Sequence, residues 1–90
     1  MQKVIITVLG KDTVGIIARV CTYLAENGCN ILDISQTITG GYFNMMMVAD
    51  ITAASKKFSE ISADLKEVGC GIGVVIHVQR EEIFEQMHRI

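Results

Sequence analysis

Few of the 90 residues carry side chains suited to covalent or metal chemistry, and their spacing argues against both. Cys21, Cys29 and Cys70 make an odd set with no Cys-x-x-Cys pair. Each stands among apolar or small neighbours, which reads as reduced, packed thiols rather than ligands. An iron–sulfur cluster would need four cysteines. His77 sits in an alternating apolar run and His88 near the C-terminus, neither spaced from a serine or cysteine as a base is from its nucleophile. His77 alternates away from Ile76 and Val78 and is expected on the solvent side of a strand. No catalysis, no metal and no cofactor is expected.

One stretch suits binding better. Gly10, Lys11, Asp12, Thr13, Val14 and Gly15 connect a β-branched run to a helical pattern, and Gly28-Cys29-Asn30-Ile31 opens the next extended run. A helix N-terminus leaves backbone N–H groups unpaired and carries partial positive charge, so a ligand carboxylate docks there. Glycine at 10 and 15 lets a backbone approach closely. Asp12 and Asn30 then offer polar contacts to an ammonium group or a polar side chain. A structural reading uses the same residues: Asp12 or Thr13 caps the helix, worth about 1 kcal/mol, Gly15 admits close helix–sheet packing, and Asn30 ties off the strand entry. Spacing leaves both readings open. The loop is no P-loop, because no Lys-Ser/Thr pair follows its last glycine.

The flanking elements are legible from periodicity. Residues 3–9 place Val4, Ile6 and Val8 on one face of a strand. Ile17, Val20, Cys21 and Leu24 recur at helical spacing up to Asn27-Gly28, a helix stop. Residues 30–39 alternate, with Leu32, Ile34 and Ile38 opposed to Asp33, Ser35, Thr37 and Thr39. Gly40-Gly41 signals a tight hairpin into a strand from Tyr42 to about Ile51, with Phe43, Met45, Met47, Ala49 and Ile51 inward. A second helix carries Phe58, Ile61, Leu65 and Val68 on its apolar side and is expected to stop at Gly69. A last strand over roughly 72–78 points Ile72, Val74, Ile76 and Val78 to the core. Ile83, Phe84, Met87 and Ile90 give the tail the spacing of a short amphipathic helix.

The order predicts an α+β fold, a ferredoxin-like βαββαβ sandwich. Right-handed crossovers put both helices on one face of a four-stranded antiparallel sheet. The expected organisation is one domain over residues 1–79 with a C-terminal helix over 80–90, packed on the domain or on a dimer mate. This fold is expected to bring the first loop and the start of the second strand together at one end of the sheet. Because many functions share the fold, the site decides. A copper carrier would have Cys-x-x-Cys in the first loop, and an acylphosphatase-like enzyme an arginine there. The arginines are Arg19, Arg80 and Arg89. An RNA-recognition motif needs stacking aromatics on its open face, whereas Tyr42 and Phe43 are adjacent and at most one can lie there.

Together, the element order, Asp12-x-x-Gly15-Ile16-Ile17 and Gly28-x-Asn30-Ile31 resemble the ACT domain, an amino-acid-binding regulatory module. The likeness covers about residues 3–79 and is strongest to short stand-alone single-ACT proteins. The resemblance implies a homodimer or higher homo-oligomer, with an effector held at the interface by the first loop and the start of strand two. In the serine-sensing version the loop carries a histidine and, two residues on, an asparagine, and a second asparagine opens strand two. Gly10, Asp12 and Asn30 stand at those positions, and Asn30 alone is identical. The carboxylate of Asp12 would repel a ligand carboxylate unless it faces the ammonium group.

Composition agrees with a small globular domain. Half the residues are apolar and a fifth charged, and the net charge of −2, with eight scattered Lys and Arg, leaves no footprint for nucleic acid. The longest apolar runs are too short to span a bilayer, and the N-terminus runs straight into a strand, so the chain is expected in the cytoplasm. The outer sheet face would carry Ile5, Leu9, Met46, Val48 and Val75 among Thr7, Ser35, Thr37 and His77, too apolar to stay bare. The function expected is a non-catalytic homodimeric sensor of a small molecule, with an amino acid as effector and a regulated protein partner. The alternative is a protein-interaction module that kept the fold without a ligand.

Overall fold

The structure, a computed structural model, describes residues 2–11 and 15–82. Six elements follow one another: β1 (Lys3–Lys11), α1 (Ile16–Glu26), β2 (Asn30–Thr39), β3 (Tyr42–Asp50), α2 (Phe58–Ile72) and β4 (Val74–Arg80). The strands form one antiparallel sheet in the order β2-β3-β1-β4, the ferredoxin-like arrangement expected. The core lies between the helices and one face of the sheet. Val4, Ile6 and Val8 of β1, Phe43, Met45, Met47 and Ala49 of β3, and Val74 and Ile76 of β4 are all buried there. Burying such side chains is worth about 1.5–3 kcal/mol each, and this layer is the main source of stability.

Several boundaries differ from expectation. α1 buries Ile16, Val20 and Leu24, while Ile17 is turned outward. Its N-cap is Gly15 in the left-handed region (φ 88°), in place of the expected Asp12 or Thr13. The strand before it runs on to Lys11, two residues further than its β-branched run. α2 continues past Gly69 to Ile72 and stops at Gly73, which takes the left-handed conformation (φ 80°). Ile72 therefore belongs to the helix, and β4 starts at Val74.

Gly69 is not a stop signal but a contact. A Cβ there would lie 2.8 Å from the carbonyl oxygen of Val74 and 3.0 Å from Ile76 Cγ1. The absence of a side chain lets α2 settle directly onto β4.

In β2 the ladder shifts register between Ile31 and Asp33. Ile31 pairs with Ala49 and Ile34 with Met47, so both face the core side although they are three residues apart. Leu32 is the extra residue of this bulge and breaks the simple alternation. β2 is a sheet edge, and Leu32, Ile34 and Ile38 stay exposed. On the outer face, Ile5 is buried while Leu9, Met46, Tyr42 and Val75 remain open. His77 lies there opposite Thr7, and Phe43 points inward. The tail helix begins at Glu81 and Glu82, and its predicted apolar stripe from Ile83 onward lies outside the described residues.

The close approach gives a direct test. Gly69→Ala is expected to cost about 1–3 kcal/mol by overpacking against β4. Gly71→Ala, where the nearest atom to the new Cβ is 3.9 Å away, is expected to be neutral or to stabilise by up to about 1 kcal/mol. Urea melts of the two variants beside the parent check the contrast.

Candidate functional site

The loop and the α1 N-terminus stand at the end of the sheet where β1 stops. Gly10 lies opposite Phe43 on one side and Val74 on the other, and Lys11 opposite Tyr42. Gly10 is there for closeness, since its Cβ would fall 2.8 Å from Val74 Cγ1. Gly15 then uses a positive φ to turn the chain into α1. Its N-cap residue, glycine, has no side chain to offer the helix, and no acidic residue stands in the first turn. Asp12, Thr13 and Val14, named above as candidate ligand residues, lie outside the described residues.

Asn30 and Ile31 are elsewhere. Asn30 pairs with Asp50, and Asp50 with Lys3, so β2 opens at the end of the sheet where β1 begins. Eight residue steps of β1 separate Lys3 from Lys11, roughly 26 Å at strand rise. The expectation that the loop and the start of β2 meet within one chain is therefore incorrect. The physical reason is the crossover: α1 carries the chain back down the length of the sheet before β2 begins. Asn30 is exposed at an edge, and Ile31 is half-buried.

Close to Asn30, the Asp50 carboxylate accepts hydrogen bonds from the Thr52 hydroxyl (2.6 Å) and backbone N–H (2.9 Å). These two bonds, the hydroxyl first, hold Asp50 below the usual carboxylate range. The Thr52 hydroxyl also accepts the Gln2 backbone N–H at 2.7 Å. Asp50 is thus committed to fixing the turn after β3.

Away from both ends, α1 and α2 are joined by a polar clip. Tyr23 donates its phenolic O–H to Asp64 Oδ2 at 2.6 Å, and Lys56 Nζ reaches the same oxygen at 2.7 Å. Burial and the Asp64 carboxylate push the Tyr23 phenol up, while Lys56 and Tyr23 pull Asp64 down. The ammonium also sits over the Tyr23 ring, 5.8 Å from its centre. Every charge in the clip is satisfied by another member, so it reads as an architectural contact.

Among the described residues no group of three or more His, Cys, Asp or Glu is placed to hold a metal ion. Cys29 is buried and Cys21 half-buried, as packed thiols should be, whereas Cys70 is exposed on α2. No helix among the described residues is long and apolar enough to cross a membrane.

The chain belongs to the ACT domain family, whose profile matches residues 2–79. It is 61% identical over 90 residues to a UPF0237 protein of Bifidobacterium longum, each chain covered in full. It superposes on the ACT domain protein from Streptococcus pneumoniae with a TM-score of 0.81, at 42% identity over 93% of this chain and 94% of that one. The regulatory subunit of aspartate kinase from Thermus thermophilus is more distant, at 25% identity and a TM-score of 0.65 over 87% of this chain and 50% of that one. ACT domains are typically ligand-binding and regulatory, and in general not catalytic.

The clip generates a pH prediction. Asp64 has a depressed pKa in the folded protein, so its contribution is present above the unfolded carboxylate value of about 3.9 and is lost as pH falls through the folded value. Asp64→Asn is expected to be less stable than the parent at pH 7, with the gap closing below about pH 4. Equal gaps in urea melts at pH 7 and pH 3 would show that ionisation of Asp64 plays no part.

Proposed function

We propose that the protein is a non-catalytic sensor of a free amino acid, acting as a homodimer whose two effector sites are each shared between protomers. One observation carries this reading: the two candidate stretches stand at opposite ends of the sheet, and the edge strand β2, which opens at Asn30, has no strand on its outer side among the described residues. A two-fold copy pairing β2 antiparallel to β2 puts the Asn30 end of one protomer beside the loop end of the other. The effector carboxylate then meets the α1 N-terminus of one chain. Asn30 of the second chain supplies an amide, and Asp12 of the first a carboxylate for the ammonium group. Exposed Ile34 and Ile38 favour such pairing, because the mate would cover them. The occupied dimer passes its state to a protein partner in the cytoplasm.

A module that binds a protein and no ligand is the second reading. It is favoured by the open apolar residues Leu9, Met46, Tyr42 and Val75 on the outer face.

A thermal-shift screen against the common amino acids, with size exclusion alongside, separates the two. Ligand at about 100 times its Kd adds about 2.7 kcal/mol, which in so small a domain raises Tm by roughly 10 °C. Mixing then tests the shared site. Asp12→Ala and Asn30→Ala are each expected to abolish the shift alone. Their mixed dimer is expected to regain one working site of two, as loop and asparagine come from different chains. A mixture that stays silent, with both parents dimeric, would place the site within one chain. A flat screen on a folded dimer would favour the interaction module.

A further inference from the structure

A partly open cleft of about 690 Å³ lies at the end of the sheet where β1 begins and β4 finishes, the end that also carries Asn30. Its size falls within the range of small-molecule sites. Val4 and Ile51, both buried, close its base, and its rim carries Lys3, Arg80, Glu81 and Glu82. The rim therefore holds two cations and two carboxylates. Among the described residues none of the four makes an ion pair with another, and the ion pair found is Lys56 with Asp64.

Of the four, Arg80 makes a ring contact. Its guanidinium carbon lies 4.7 Å from the centre of the Phe58 ring, a cation–π contact. That contact holds the group beside the cleft, and the N–H edges of a guanidinium match a carboxylate bidentately. Lys3, next to the Val4 that pairs with Arg80, also lines the cleft and brings a second positive charge to it. Glu81 and Glu82 follow Arg80 directly and bring negative charge to the same rim.

We infer that this cleft is a second binding site, separate from the shared interface site, for a small zwitterion carrying a free carboxylate, a free ammonium group and an aliphatic body. The carboxylate sits on the Arg80 edge with Lys3 nearby, the ammonium group between Glu81 and Glu82, and the aliphatic part over Val4 and Ile51. A free amino acid and a short peptide share this chemistry. A simple anion meets the two glutamates, and a simple cation meets Lys3 and Arg80, so neither alone matches the rim.

The inference stands apart from the dimer reading, and one titration keeps them distinct. ¹⁵N-labelled wild-type protein is titrated with leucine, with alanyl-leucine and with N-acetyl-leucine amide, which lacks both charges. Amide shifts are expected at Gln2 to Val4, at Ile51 and at Arg80 to Glu82 with the first or second probe, and none with the third. Arg80→Gln is expected to weaken this binding at least tenfold, and Asn30→Ala to leave it unchanged. A stronger response to leucine assigns a free amino acid, and to alanyl-leucine a peptide. Shifts confined to residues 10–15 and 30–31, equal shifts with the uncharged probe, or no shifts at this end would overturn the inference. Because the mapping uses wild-type protein, it holds even if Arg80→Gln unfolds.

Discussion

Everything in this molecule hangs on the position of β1 between β3 and β4. Its nine residues pair with β3 along their whole length, and seven of them also pair with β4. With a side-chain period of two, a slip by one residue would send Val4, Ile6 and Val8 to solvent and Thr7 to the core. Burial of those three valine and isoleucine side chains against Met45, Met47 and Ala49 therefore fixes register, and register fixes which residues share an end of the sheet. The loop before α1 and the entrance to β2 are held apart by this ladder, not by any feature of the loop.

Much of this was readable before any coordinates. Strict alternation in β1 and β3 and the Gly40-Gly41 step were unambiguous, because a hairpin and a half-buried strand each leave a period of two. The errors came where glycine and isoleucine have more than one use. Gly69 looked like the end of α2, yet it sits buried inside the helix against β4. Only its tertiary neighbours distinguish the two roles. Ile16 and Ile17 are chemically equal neighbours, and which one enters the core depends on the phase set by Gly15. The bulge at Leu32 was invisible for the same reason, since an extra apolar residue in an alternating run leaves no mark.

The site was legible as a set of residues but not as a geometry. Gly10 lies tight against Val74, a packing role that its sequence context does not reveal. The separation of Asn30 from the loop follows from topology, because a helix crossing antiparallel to β1 must deliver the chain to the opposite end. The cleft beside Arg80 had no local signature at all. Phe58 and Arg80 come together only because α2 starts where β4 ends.

The bulge in β2 also bears on how far edge pairing extends. A straight exposed strand templates another, which templates a third, and the outcome is a fibre. A strand pairing with its own copy uses the same surface twice and so closes on itself. The kink at Leu32 adds local twist and shortens the regular stretch, so an intruding chain of a different sequence finds only a brief ladder to add to.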